Sequence, residues 1–166
     1  MSIIDMTASE IVAAVAAGEL TATEIATALV EAAEAKRDLN ALVRFEPERF
    51  LAAAKAADAA KTRGPLHGLP LVIKDNIDIA GYVTSAATPS LTRNLRTNTA
   101  PVMQKLLDAG ALVMSKANMH ELAFSPGVVK PADGGPIVWG AYGPARNPYN
   151  PERSPAGSST GTGAGP

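Results

Sequence analysis

Apolar residues in the first sixty positions recur three and four residues apart, which is the spacing of one face of a helix. Two of these runs follow a helix start signal. The segments TASE, residues 7–10, and TATE, residues 21–24, both match the capping box, in which a threonine and a later glutamate satisfy free backbone N–H groups. Gly18 suits the end of the first helix. The pattern predicts two short antiparallel helices within residues 1–40.

The next part of the chain alternates between strand and helix patterns. ALVRF, residues 41–45, alternates like a strand, and residues 47–63 begin with a proline and a glutamate suited to a helix N-terminus. The apolar run LPLVIKDN, residues 69–76, is typical of a strand buried on both faces of a mostly parallel sheet. Residues 101–110 predict a helix closed by a glycine, and residues 111–116 predict the next strand. This alternation indicates an α/β fold.

Composition changes after residue 124, where glycine, proline, serine and asparagine dominate. A structureless stretch of this length inside a compact domain indicates a functional loop, or a segment that packs against something missing from the sequence. We therefore divide a single domain into a helical pair at 1–40, an α/β core at 41–124 and a loop region at 125–166.

Charge and composition exclude several classes of function. The 166 residues carry 15 basic and 16 acidic side chains, a formal net charge of −1, which favours neither a nucleic-acid nor a membrane-surface partner. The absence of cysteine excludes disulfides, thiolate zinc sites and a cysteine nucleophile. With two histidines, we expect no metal and no cofactor. The N-terminus lacks a secretory pattern, so we expect a cytoplasmic protein acting on a small molecule.

Lys74 is the first candidate for chemistry, because it ends an apolar run and is followed by Asp75. A lysine at the end of a buried strand loses solvation, which disfavours the charged amine and could make it a base. The alternative is a lysine that reaches the surface or pairs with Asp75 or Asp78. Local sequence leaves both possibilities open.

The segment SPAGSSTGTGAG, residues 154–165, is the second candidate. Ser158 and Ser159 stand among glycines, which combine hydroxyls with a backbone free to approach a ligand. A flexible linker has the same composition. The phosphate-loop pattern G-x-x-x-x-G-K-[ST] does not occur.

Three further residues are of types that occur in functional sites. His67 and His120 stand in no G-x-S-x-G or metal-ligand pattern, so we expect both to be structural. Met119, in KANMHELAF, fits either an apolar helix face packed on the sheet or the lining of a pocket.

Three segments, taken in order, carry a family resemblance. GPLHGLPLVIKDNIDIAG at 64–81, AGALVMSKANMHELAF at 109–124 and GPARNPYNPERSPAGSS at 143–159 resemble the amidase signature family. This family includes indoleacetamide and mandelamide hydrolase-like amidases and the A subunit of the glutamyl-tRNA amidotransferase. The resemblance covers nearly the whole chain. It implies the amidase signature fold, with helices packed on a mixed, mostly parallel sheet.

The resemblance also implies roles for individual residues. The family uses a Ser-Ser-Lys triad, in which Lys74 would be the neutral general base. Ser158 would be the serine with a cis peptide bond, whose hydroxyl bridges the lysine to the nucleophile. A serine hydroxyl needs such a base to attack an amide at neutral pH. We assign substrate binding to Met119 and Ser159.

The family's nucleophile is expected roughly two dozen residues beyond Ser158, in a D-x-G-G-S turn that also forms the oxyanion hole. We therefore expect the N-terminal part of a longer amidase, or a truncated product, that is inactive alone. A second chain or a homodimer could complete the site.

The chain departs from the family pattern G-G-S-S-G-G, which usually precedes an alanine-rich helix. Ala156 and Thr160 replace glycines, and Gly163, Gly165 and Pro166 predict a break in that helix. The loop between Phe124 and Gly143 also looks longer than usual.

Three functions remain open at this point. The first is hydrolysis of a linear carboxamide to a carboxylate and ammonia. The second is an amidotransferase A subunit that releases ammonia from glutamine for a partner enzyme. The third is a non-catalytic fragment or interaction module. The first and second segments look closer to the arylacetamide amidases, which favours the hydrolase.

Overall fold

The computed structural model describes residues 2–123 and 140–165. The expectation of a longer loop after Phe124 falls mostly on residues 124–139, outside the described residues. The chain divides into two compact units. The first contains residues 1–37, 44–72 and 100–115, and the second contains residues 38–43, 73–99 and 116–166. Strands β2 (Pro70–Lys74) and β3 (Leu112–Ala117) each contribute residues to both units.

Helices dominate the first unit. They are α1 (Ala8–Ala17), α2 (Ala22–Ala35), α3 (Pro47–Asp58) and α4 (Pro101–Asp108). Short 3-10 turns occur in both units, at Ile3–Asp5, Arg37–Leu39, Pro89–Leu91 and Glu121–Ala123. Prolines occupy the first turn of α3 and of α4, where the missing N–H costs no hydrogen bond. In the part of the chain that the structure describes, no helix combines the length and apolarity needed to cross a bilayer.

Both predicted capping boxes are present. The Thr7 hydroxyl accepts from the Glu10 N–H, and the Glu10 carboxylate accepts from the Thr7 N–H at 2.7 Å. Thr21 and Glu24 repeat the arrangement at 2.8 Å. The backbone and side-chain hydrogen bonds from the two threonines hold the pKa of each glutamate below its ordinary value. Gly18 ends α1 in the left-handed region, at φ 74°, as predicted.

The first unit is packed around α2 and α3. Ile25 and Ala26 of α2 and Phe50 and Ala54 of α3 are all almost fully buried. Two of these four positions are alanine, whose small side chain allows packed helices to approach closely. The predicted helices therefore form, and the main partner of α2 is α3.

Within residues 2–123 and 140–165, the sheet has three strands in the order β1-β3-β2, where β1 is Leu42–Val43. Strand β1 is antiparallel to β3, with Leu42 opposite Ala117. Strand β2 is parallel to β3, because the Leu112 N–H donates to Leu69 O and the Asp75 N–H donates to Ala117 O. The sheet is mixed, as the family resemblance implies.

The prediction that residues 69–76 form a strand buried on both faces is wrong. Four of the five residues of β2 are only half-buried, whereas β3 is buried from Val113 to Ala117. The reason is the strand order, because among the described strands β2 has one neighbour in this sheet whereas β3 has two.

Of the glycines expected to break the helix after Ser159, Gly163 lies within a short helix and Gly165 ends it. Helix α5 spans Thr160–Ala164, with the Gly163 N–H donating to Ser159 O at 3.0 Å. Gly165 is extended and ends the helix. Close backbone packing explains why residue 161 is a glycine. The Gly161 N–H donates to Asn118 O at 2.8 Å, and a β-carbon at this position would overlap backbone atoms of the second unit.

Candidate active site

Lys74 and Ser158 meet in the second unit, 84 residues apart in sequence. Lys74 is the last residue of β2, and its Nζ lies 2.7 Å from Ser158 Oγ. Both residues are half-buried. The peptide bond between Gly157 and Ser158 is cis. The hydrogen-bond contact that the family resemblance implies is therefore present.

The segment that carries Ser158 is held by the residues after β3. The His120 N–H donates to Ser158 O at 3.0 Å. The His120 ring lies against Gly157, where a β-carbon would overlap the imidazole. Both ring nitrogens of His120 are buried. His120 is therefore a packing residue beside the cis bond, which gives a physical reason for the glycine before the serine pair.

Neither nearby carboxylate takes Lys74 as its ion-pair partner. Asp75 Oδ1 faces Lys116 Nζ at 3.6 Å, and Asp78 Oδ2 lies 2.9 Å from Arg96 Nη2. The structure therefore shows Lys74 in contact with Ser158 and not in the alternative ion pair with Asp75 or Asp78.

Asp75 and Lys116 belong to a buried polar network. Both side chains have no exposed surface. Asp75 Oδ2 accepts from the Ser85 hydroxyl and from the Ser85 N–H, the latter at 3.2 Å. The hydroxyl of Tyr142 lies 3.0 Å from that of Ser85. The carboxylate is thus held on one oxygen by Ser85 and faces a cation with the other.

The Lys116 amine also donates hydrogen bonds to other residues of the second unit. It donates to Ile77 O at 2.6 Å and to Thr84 Oγ1 at 3.3 Å. Burial lowers the pKa of Lys116, while the charge and hydrogen bonding of Asp75 oppose that effect. A lysine without exposed surface persists because it has these partners.

Asn118 connects three segments of the second unit. Its Nδ2 donates to Asn40 O at 2.9 Å and to Gly143 O at 3.1 Å. Its backbone carbonyl accepts from Gly161. Because Asn118 is fully buried, these bonds fix the segments that flank the Lys74–Ser158 pair.

The structure places Met119 at a cavity and Ser159 directly after Ser158 in the chain. Met119 is 2% exposed and lines a cavity of about 490 Å³ together with His120, Arg146, Arg153 and Thr160. Lys74, Ser158 and Ser159 are not among the lining residues. Ser159 is half-buried and precedes α5. The structure brings Lys74 and Ser158 together and leaves the substrate-binding assignments of Met119 and Ser159 as predictions.

Sequence reasoning did not single out Lys116, Ser85 or Tyr142. Lys116 did carry a signal, because it stands near the end of the apolar strand β3 as Lys74 stands at the end of β2. Two lysines at corresponding points of adjacent strands indicate a polar site at that edge of the sheet. Ser85 and Tyr142 lie in loops, where sequence alone offered no comparable signal.

The sequence model of the family described as Amidase matches residues 24–165 of this chain. The chain belongs to the amidase family.

Relatives of this amidase chain are known from sequence and from solved structures. The chain is 41% identical to the A subunit of the glutamyl-tRNA(Gln) amidotransferase of Lachnospira eligens, over 99% of the chain and 33% of that protein. It is 38% identical to the protein of the same name from Bordetella petrii, over 91% of the chain and 28% of that protein.

Solved structures of other proteins share the fold. The peptide amidase from Stenotrophomonas maltophilia is 32% identical, with a TM-score of 0.82 over 96% of this chain and 33% of that one. A fatty acid amide hydrolase is 26% identical, with a TM-score of 0.84 over 98% of this chain and 28% of that one. The chain thus spans about a third of the length of the curated relatives it matches.

Proposed function

We propose that this chain supplies the base and the relay serine of an amide hydrolase of the Ser-cis-Ser-Lys type, which converts a carboxamide to a carboxylate and ammonia. Lys74 is the base and Ser158 is the relay. The nucleophilic serine comes from a segment outside these 166 residues, either further along a longer protein or on a second chain. The observation that carries the proposal is the 2.7 Å contact between Lys74 Nζ and Ser158 Oγ.

The proposed steps conserve protons throughout. The nucleophilic hydroxyl attacks the amide carbon and gives its proton to Ser158 Oγ, while Ser158 gives its own proton to the neutral amine of Lys74. The tetrahedral intermediate collapses, and the same relay returns a proton to the departing nitrogen, which leaves as ammonia. Water then attacks the acyl-enzyme through the same pair and releases the carboxylate. No cofactor takes part in this scheme.

Replacement of Lys74 by alanine tests the proposal in the full-length protein. We expect kcat/KM for carboxamide hydrolysis to fall by about 10²–10⁴-fold, the usual contribution of a positioned base. Ser158→Ala should act in the same direction. Ammonia release is the measurement, and residues 1–166 alone should release none.

The exposed Lys61 provides the matched control, because Lys61→Ala makes the same change outside the site. The control should retain full activity. A Lys74→Ala protein that folds and hydrolyses carboxamides within tenfold of the parent would contradict the assignment.

An amidotransferase A subunit is the second candidate, and the names of the curated relatives favour it. It would use the same pair to release ammonia from glutamine for a partner enzyme. Ammonia release from glutamine that depends on added partner subunits would support this candidate. Release from arylacetamides without any partner would support the hydrolase.

A further inference from the structure

Ser158 is carried by a loop, and the contacts on either side of it decide where its hydroxyl lies. The residue itself lies in no helix or strand, and α5 begins two residues later. Its hydroxyl nevertheless lies 2.7 Å from Lys74 Nζ, at the end of β2. A hydrogen bond weakens steeply when its distance or angle changes, so a small displacement of the loop would break this contact. The proposed relay therefore depends on whatever fixes the loop.

The segment that follows β3 holds this loop by backbone hydrogen bonds. The His120 N–H donates to Ser158 O at 3.0 Å, and the Gly161 N–H donates to Asn118 O at 2.8 Å. Asn118 is fully buried and is itself fixed by the hydrogen bonds of its side chain. These two bonds anchor the loop at Ser158 and after it.

The His120 ring provides a contact of another kind, before Ser158. A β-carbon at Gly157 would overlap Nδ1, Cε1 and Nε2 of His120, so this edge of the imidazole lies directly against Gly157. Both ring nitrogens are buried, and neither has a hydrogen-bond partner among the described residues. The ring therefore acts on the loop by its volume and not by a hydrogen bond.

A truncated side chain at residue 120 would leave this part of the loop without support. His120 also lines the cavity of about 490 Å³ that Met119 and Thr160 share. The space beside Gly157 would then adjoin this cavity, which gives the loop room to move.

We propose that His120 is a positioning residue: its ring fixes the peptide before Ser158, so that the Ser158 hydroxyl stays within reach of the Lys74 amine. The inference rests on the proposed function, because it explains how the relay is held in place for the base. His120 takes no proton in that scheme and acts through Ser158. Its truncation should therefore slow turnover more than it weakens substrate binding.

The first test compares crystal structures of the full-length protein and of its His120→Ala variant. We expect the distance from Lys74 Nζ to Ser158 Oγ to increase from 2.7 Å to more than about 3.5 Å, outside hydrogen-bonding range. His120→Gln refills most of the space with a side chain that does not titrate, so it should keep the short contact. An unchanged distance in His120→Ala would overturn the inference.

The second test is the turnover of the same variants, measured as ammonia release. In His120→Ala we expect kcat to fall by about 10–100-fold with KM within about threefold of the parent, because a misplacement of about 1 Å costs up to about 10²-fold. His120→Gln should recover most of this loss. If His120→Gln keeps the short contact but is as slow as His120→Ala, the imidazole acts chemically and the positioning role is wrong.

The contact of the ring is tested from its other side by Gly157→Ala. The added methyl group overlaps the ring, so we expect kcat to fall by about tenfold in the parent background. In the His120→Ala background the same change should cost less than about threefold, because the ring is gone. Equal losses in the two backgrounds would show that the ring does not decide where Gly157 lies, which would also overturn the inference.

Thr162→Ala is the matched control, because it introduces alanine at an exposed position four residues after Ser158 and should leave kcat and KM unchanged. Circular dichroism shows which variants fold. If His120→Ala does not fold, His120→Val replaces it in each comparison, because valine removes the ring and keeps part of its volume. Lys74→Ala is measured alongside: full hydrolysis in that variant contradicts the hydrolase proposal, whereas the distance test needs no turnover and decides the role of His120 separately.

Discussion

The two units of this chain are stabilised in different ways. The first unit buries mainly apolar side chains, such as Ile25 and Phe50, between helices. The second unit contains seven of the nine buried polar residues among the described ones: Asp75, Thr84, Ser85, Thr88, Lys116, Asn118 and Thr160. The first unit therefore depends on packed volume, whereas the second depends on satisfied hydrogen bonds and on charge compensation.

Backbone conformation differs in the same way. Among the described residues, six of the seven non-glycine residues with positive φ lie in the second unit, and Arg44 lies in the first. The six are Asn40, Ala86, Ala87, Leu122, Ala123 and Ala156. Such conformations cost about 1 kcal/mol or more each and persist where surrounding contacts fix them. Strain is thus concentrated in the unit that holds the Lys74–Ser158 pair.

The largest effect on stability is expected from Phe50→Ala in the first unit. Phe50 of α3 is 1% exposed, so its removal leaves a cavity in the interior of the first unit. We expect the free energy of unfolding to fall by about 3–5 kcal/mol, from lost burial together with the cavity. Urea denaturation followed by circular dichroism measures the change.

The exposed Glu48 lies two residues away on the same helix and provides the control. Glu48→Ala should change the free energy of unfolding by less than about 0.5 kcal/mol. A Phe50→Ala protein that is nearly as stable as the parent would show that apolar volume does not decide the stability of the first unit.

The helices of the first unit could be predicted from sequence because their signals are local. Thr7 and Thr21 form capping boxes with glutamates three residues later, and Gly18 ends α1. Each signal acts within one turn of the chain, so no knowledge of tertiary packing was needed. What the sequence could not give was the partner of α2, because that choice depends on distant residues of α3.

The site could be predicted only in part, because its contacts join residues that are distant in the chain. The contact between Lys74 and Ser158 was expected from the family resemblance, and local sequence left it open. The pair Lys116–Asp75 depends on the adjacency of β2 and β3 in the sheet, which strand order alone decides. The same strand order explains why β2, expected to be fully buried, is mostly half-buried, because it has one neighbouring strand in the described part of the chain.

Gly161→Ala tests whether the second unit depends on close backbone approach. A β-carbon at Gly161 would overlap Ala41 O and the backbone N of Asn118. We expect a loss of roughly 1–3 kcal/mol in the free energy of unfolding, because backbone atoms have to move. Thermal and urea denaturation both measure it.

Gly163 of the same helix is the control, since a β-carbon there would meet only Pro155 O, at 3.2 Å. Gly163→Ala should stay within about 1 kcal/mol of the parent, because alanine also favours the helix. Equal losses in the two variants would mean that α5 tolerates no side chain at all, and the close approach at Gly161 would have no special role.

Asp58 is a partly exposed carboxylate of the first unit, whereas Asp75 of the second unit is fully buried. It ends α3 and caps α2, accepting from the Ala22 N–H at 2.7 Å, the Thr23 N–H at 3.0 Å and the Thr23 hydroxyl at 2.5 Å. Partial burial raises the pKa of Asp58, but these hydrogen bonds outweigh burial and the net pKa lies below its ordinary value. Asp58 thus acts as a partly exposed helix cap.

The smallest effect is therefore expected from Asp58→Asn, and it depends on pH. A carboxyl with a depressed pKa in the folded state stabilises above the unfolded pKa of about 4, and its contribution is lost as the pH falls through the folded value. At pH 7 the variant should be less stable than the parent by up to about 1 kcal/mol, because it loses a negative charge at the N-terminus of α2. Urea denaturation from about pH 7 to about pH 2.5 should show the difference narrowing only below about pH 4. A difference that is constant over this range would assign the effect to shape instead of charge, and the contrast with the buried Asp75 would then be lost.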